Sequence, residues 1–178
     1  MSQPGFEETR DFIRRAHAKQ RDKGGFPYHL HPEAVAERAV ALLRGLVGDA
    51  IMAAPWREVA ERARLVALMH DVLEDREYTG VVEADLRTMG HADDVVASVA
   101  LLSRPGGDGR PTYIQWVRGI AASGDLVAIL VKVADNEENS APARIAQLPP
   151  EERGIADRYR RSLGVLRPAL EAAVRAAR

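Results

Sequence analysis

The chain of 178 residues contains no cysteine, which excludes both a disulfide framework and a thiolate metal site. Any metal it binds must be held by histidine and carboxylate side chains. Lysine is nearly as scarce: only Lys19, Lys23 and Lys132 stand among 25 basic residues. Against these are 26 acidic residues, both signs are spread along the chain, and the net charge is −1. No basic stripe therefore announces a nucleic-acid partner, whereas an anionic small molecule is compatible with this balance. No apolar run approaches the roughly 20 residues of a membrane span, and the N-terminal stretch lacks the apolar core of a signal peptide. These absences predict a cytoplasmic protein with no membrane partner, and the length predicts one domain over residues 1–178, large enough to bury a substantial core.

Strict apolar–polar alternation is also scarce, and Ala, Leu, Arg and Glu dominate, so the expected fold class is all-α. The pattern predicts a first helix from Phe6 to about Gln20, a break over Asp22 to Leu30 (DKGGFPYHL), and a second helix opening at His31-Pro32. Gly45 to Ala54 reads as a loop or short turn, after which Pro55 restarts a helix that runs through Trp56 into the stretch from Arg64 to Leu73. Two shorter helices, Val82 to Met89 and Ala92 to Leu102, precede the glycine- and proline-rich loop Ser103 to Pro111, a plausible lid. A helix starting near Thr112 follows, then a buried helix over Asp125 to Glu138. Two amphipathic helices, Glu151 to Leu163 and Pro168 to the end, close the chain.

The stretch Ala67 to Asp75 (ALMHDVLED) places four ionisable groups in an otherwise apolar helical run. At 3.6 residues per turn Glu74 lies one turn beyond His70 and Asp75 one turn beyond Asp71, which predicts a single polar patch able to hold one ion. Glu74 and Asp75 would also face the negative end of the helix dipole, a placement that favours a nearby cation. Downstream, Asp135 follows the apolar run LVAILVKVA, and a buried carboxylate requires a partner. Lys132 at i−3 or Asn139 at i+4 would supply one, as would a metal. His31 offers a similar choice between a helix cap and a ligand.

His31-Pro32, His70-Asp71 and Asp135 together resemble the H…HD…D signature of HD-domain metal-dependent phosphohydrolases. The segment AHAKQRDKGGFPYHLHPEAVA resembles the first motif of the hydrolase domain of RelA/SpoT-type enzymes and small alarmone hydrolases, MHDVLEDREYT their HD helix, and VKVADNEEN their Lys-X-X-Asp-X-X-X-Asn segment. The resemblance spans about Phe6 to Leu163. It implies a single HD-domain helical bundle in which His31, His70, Asp71 and Asp135 hold one divalent ion, manganese in this family, with positions left for water and substrate. Glu74 and Asp75 match the family's catalytic pair, Asn139 a residue that contacts the nucleotide sugar, and Lys23 a basic residue near the base and phosphates. The implied reaction removes the 3′-pyrophosphate from (p)ppGpp, giving GDP or GTP and pyrophosphate; no second domain for alarmone synthesis is expected.

Three positions depart from the family. Asp22 stands where an arginine usually stacks on guanine, so Arg21 is the expected substitute. The family's Asp-Arg-Leu-X-Asn reads Asp135-Asn136-Glu137-Glu138-Asn139 here, and Pro142 replaces a substrate-contacting threonine. These changes leave the metal ligands intact and bear on substrate. Two other readings follow from them: an HD phosphohydrolase acting on another nucleotide or phosphoester, and a catalytically silent binding protein of the same fold. Of the other histidines, His17 is expected to be structural, His29 a loop-surface residue and His91 solvent-exposed. Tyr113 and Trp116 read as core, with Tyr113 placed to face a pocket beside the loop.

Overall fold

The computed structural model describes residues 3–178. Its centre is the apolar run predicted to be a buried helix: in α8 (Leu126–Asn139) every residue from Val127 to Asn136 is buried. Asp125 caps its N-terminus by accepting from the Ala128 N–H at 3.0 Å, and Ser98 donates to the same carboxylate at 2.6 Å. Around α8 pack α2 (Leu30–Val47), α3 (Trp56–Met69), α6 (Asp93–Leu102), α7 (Tyr113–Ala122) and α10 (Ile155–Ala176). The first helix, α1 (Phe6–Ala16), lies against α3 with Ile13 fully buried. Short helices α4 (Arg76–Thr79), α5 (Glu83–Thr88) and α9 (Pro142–Ala146) fill the connections. Among the described residues there is no strand beyond one isolated bridge between Arg21 and Pro27, and no helix is long and apolar enough to cross a membrane. The fold is all-α.

Three helix boundaries differ from expectation, each for a local reason. The first helix stops at Ala16 rather than near Gln20, with His17 buried as its C-cap. The expected helix over Arg64 to Leu73 stops at Met69, and Asp71 to Asp75 form successive turns. His70 ends it: its Nδ1 bonds the Ala67 carbonyl at 2.7 Å, the acceptor that the Asp71 N–H would need to continue the helix. His70, Asp71, Glu74 and Asp75 are therefore not one helical patch. At the C-terminus, the expected pair of helices is one, with Pro168 inside α10. Proline removes one backbone hydrogen bond and crowds the carbonyl four residues back. Here Leu163, Leu166, Leu170 and Val174 bury one face of α10 against the bundle on both sides of that point, and their packing holds the helix continuous. The segment Gly45 to Ala54, expected as a loop or short turn, holds the end of α2 and then a 3₁₀ turn, Gly48–Met52.

Candidate metal centre

Three elements converge at one end of α8. His31 lies in the first turn of α2, His70 caps α3 with Asp71 next to it, and Asp135 sits one turn before the end of α8. His31, His70 and Asp135 are buried at 4%, 1% and 3% exposure, where a charged group needs partners. Ligand atoms of His31, His70 and Asp71 all lie within 4.8 Å of one another. Asp135 joins them: its Oδ1 is 3.2 Å from His31 Nε2 and 3.6 Å from His70 Nε2. Asp71 Oδ2 is 3.0 Å from His70 Nε2 and 3.8 Å from His31 Nε2. The family motif residues, scattered over a hundred positions, thus meet in space.

The donor set fits a divalent cation. Because the Ala67 carbonyl can only accept, His70 Nδ1 carries a proton, and in the neutral ring Nε2 presents a lone pair. That Nε2 is buried without a hydrogen-bond partner although it faces two carboxylate oxygens. Lone pair facing lone pair is unstable unless a proton or a metal ion lies between them. Burial disfavours the imidazolium, but Asp71 and Asp135 outweigh it and lift His70 to about 10. Burial likewise opposes the two carboxylates, and the cations around them hold both well below the usual range: His70 for Asp71, Lys132 and the histidines for Asp135. Two imidazoles with two carboxylates suit a borderline divalent metal.

This balance has a measurable consequence for the protein kept in chelator. A histidine raised from its ordinary value near 6.5 to about 10 stabilises the fold fully below pH 6.5, and that stability drains away as pH rises through the folded value. The melting temperature of the metal-free protein is expected to fall steadily between about pH 6.5 and 10. A flat profile there would show that His70 is not held as a cation by its carboxylates.

Asp135 is satisfied from both sides. Lys132, 5% exposed, donates to its Oδ2 at 2.7 Å, and Asn139 donates to Oδ1 at 2.5 Å. Lys132 in turn lies 4.3 Å from the Trp116 ring centre, a cation–π contact that helps hold the ammonium away from water. Both structural partners weighed for Asp135 are present, and they leave its Oδ1 facing the imidazoles. Asn139 Oδ1 also accepts from Arg144 Nε at 3.2 Å, so the Asn139 amide is engaged by the protein at both ends.

Above the cluster opens a cleft of about 370 Å³ lined by Tyr28, His31, Asp71, Glu74, Lys132, Asp135 and Asn139, with Arg21, Lys23, Arg104, Arg144 and Arg158 around it. Six cationic side chains and four carboxylates, Asp22, Asp71, Glu74 and Asp135, line it, a local excess of cations in a chain of net charge −1. Glu74 stands at the rim, its carboxylate accepting from the Arg104 N–H at 3.1 Å; desolvation raises it above the ordinary carboxyl value, against that hydrogen bond. Asp75 does not line this cleft. It opens on the neighbouring groove, which Glu74 shares, and is bound at Oδ2 by Gln20 Nε2 at 2.8 Å; burial raises its carboxyl as well.

Asp22, the acidic departure, is turned into the protein. Its Oδ1 accepts the Gly24 and Phe26 N–H groups at 2.9 Å each, building the loop, and its Oδ2 lies 3.2 Å from Arg144 Nη1. Its charge is thereby spent on Arg144 instead of opposing an anion. Arg21 and Lys23 both line the cleft, Lys23 in an ion pair with Glu152. Pro142 starts α9, the helix that delivers Arg144. One expectation for a histidine is corrected. His91 is buried at 4% with neither ring nitrogen partnered, having folded under the start of α6, and desolvation lowers its basicity. His17, expected to be structural, is buried with its ring 4.9 Å from Tyr28 and its Nδ1 2.6 Å from Gln20 Oε1. Tyr28, Gln20 and Arg104 went unforeseen, although Tyr28 lies in the motif word itself. Arg144 and Arg158 carry no sequence signal, since arginines on amphipathic helices look alike whether they face solvent or a cleft.

No protein-family profile matches the chain, and no curated protein matches it in sequence. Among solved structures it is similar to a metazoan ortholog of SpoT that hydrolyses ppGpp and plays a role in starvation responses. The two superpose with a TM-score of 0.64 over 97% of this chain and 94% of the other, at 20% sequence identity. At that identity the likeness establishes architecture, and the chain accordingly shares the all-helical fold of that protein.

Proposed function

We propose that the protein is a metal-dependent phosphohydrolase that removes the 3′-pyrophosphate from (p)ppGpp to give GDP or GTP and pyrophosphate. The observation that carries this reading is the cluster of His31, His70, Asp71 and Asp135 at the floor of a cleft lined by six cations. These four residues would hold one divalent ion, with manganese the expected metal, and two imidazoles with two carboxylates leave coordination positions for other groups. A divalent ion bound there lowers the pKa of water and polarises a phosphoryl oxygen.

The remaining work falls to the chain's own side chains. Glu74, at the rim and raised in pKa by partial desolvation, is the group placed to take a proton from the attacking water. Water adds to the phosphorus attached to the ribose 3′-oxygen, the bond from that phosphorus to O3′ breaks, and a proton ends on O3′. Asp75, held by Gln20 behind the cleft, supports Glu74 and the turn rather than touching substrate. Arg21 and Arg158 offer positive charge for a bispyrophosphate, and Lys23 and Arg144 would add theirs by exchanging Glu152 and Asp22 for phosphate. Asn139, whose amide is already bonded to Asp135 and Arg144, orients both of them.

The Asp22–Arg144 pair favours a second reading at the level of substrate, because it takes the place of the family's stacking arginine. The same metal chemistry would then serve another nucleotide or phosphoester. The test is to incubate manganese-loaded protein with guanosine 3′,5′-bispyrophosphate, and separately with GTP and a panel of 3′-phosphorylated nucleotides, following the phosphorus products by NMR. Pyrophosphate appearing from the first and not from GTP is the expected result. Turnover confined to another member of the panel would transfer the activity to that substrate, and none from any would leave the fold without this function.

A further inference from the structure

The loop between α1 and α2 reaches back to the turn that follows His70 at two points. Tyr28 donates its hydroxyl to Asp71 Oδ2 at 2.6 Å, and this is the same oxygen that stands 3.0 Å from His70 Nε2. Gln20 donates its amide to Asp75 Oδ2 at 2.8 Å. Both donors are seated on one buried imidazole: His17 packs its ring 4.9 Å from Tyr28 and sets its Nδ1 2.6 Å from Gln20 Oε1. Because Gln20 Nε2 is committed to Asp75, Oε1 is the atom left to face His17, so Nδ1 carries the proton and the amide cannot flip without losing both bonds.

We infer that Tyr28 is a positioning residue for Asp71, with His17 fixing the loop from which it acts. Asp71 lies in a turn, not in a helix, so its backbone alone leaves the carboxylate free among rotamers. The Tyr28 hydroxyl selects the one in which Oδ2 faces the two histidines. Hydrogen bonds of this kind to ligating groups typically carry about 10–100-fold in metal affinity. Gln20 performs the parallel task for Asp75, which belongs to no ligand set, and its loss would leave metal affinity unchanged.

This inference rests on the four-residue cluster being a metal centre, and the experiment separates the two. Manganese dissociation constants are measured by calorimetry for the unaltered protein, Tyr28→Phe and Gln20→Met, with melting temperatures recorded for each. Tyr28→Phe keeps the ring on His17 and loses only the hydroxyl, so it is expected to fold and to bind manganese about 10–100-fold more weakly. Gln20→Met is expected to bind as the unaltered protein does. Equal affinity in Tyr28→Phe would overturn the positioning role while leaving the metal centre standing. An equal loss in both variants would show general loosening of the loop and would also overturn it. Failure of the unaltered protein to bind manganese would remove the metal centre, and the inference with it.

Discussion

Asp135→Asn is expected to yield a folded protein that holds no divalent ion and turns over no substrate, whereas Asp135→Ala is expected to lose much of its stability as well. The difference comes from Lys132. Its ammonium is buried, and Asp135 is the carboxylate it pairs with. Truncation to alanine leaves that ammonium with neither its anion nor an acceptor, a change that typically costs about 3–5 kcal/mol for a buried pair, whereas asparagine removes the charge but keeps the acceptor. The Trp116 ring at 4.3 Å offsets only part of this. Asparagine keeps the shape and an oxygen to accept from Lys132, and the bond it gives up is the one from Asn139, whose donor would meet the new amide N–H₂. What it cannot supply is the negative charge between two imidazoles. Metal content, turnover and melting temperature of the two variants check this together; an Asp135→Asn protein that retains its ion would remove Asp135 from the ligand set.

Glu74→Gln is expected to lower turnover by about 10²–10⁴-fold while binding metal unchanged. Glutamine preserves length, and its amide oxygen can still accept from the Arg104 N–H that holds the present carboxylate at 3.1 Å. Only the ability to take a proton is lost. Glu74 also lies outside the cluster of ligand atoms, so the ion has no reason to leave. Turnover within a factor of a few of the unaltered protein would exclude Glu74 as the base. The counterpart, Asp75→Asn, should cost less, since Asp75 is engaged by Gln20 and faces the adjoining groove.

The sequence made the centre readable where chemistry is dear. An acid after the mostly apolar run Leu126 to Ala134, or a histidine among leucines, is too unfavourable to leave unpartnered, and Asp135 and His70 announced themselves in that way. Their expected geometry was wrong all the same. Periodicity extended α3 through Asp75 because Val72 and Leu73 continue the apolar pattern, but the His70 side chain competes for the Ala67 carbonyl, and periodicity does not register such competition. Similarly, Pro168 suggested two helices where burial of Leu163, Leu166, Leu170 and Val174 sustains one. The cationic wall was the least legible part. Arg144 is the one arginine of the short α9 and Arg158 one of five on α10, and only the packing of the two helices around the cleft distinguishes them. Asp22 stood out in the sequence only as a departure from the family, because its partner lies 122 positions away in the chain, at Arg144.

The central claim is that His31, His70, Asp71 and Asp135 together bind one divalent ion. Its most direct test is manganese stoichiometry on purified protein stripped with chelator and then titrated, with His70→Gln and Asp71→Asn measured alongside. One ion per chain in the unaltered protein and none bound at comparable concentrations in either variant is the predicted result. Stoichiometry that survives both substitutions would place the ion elsewhere and contradict the account.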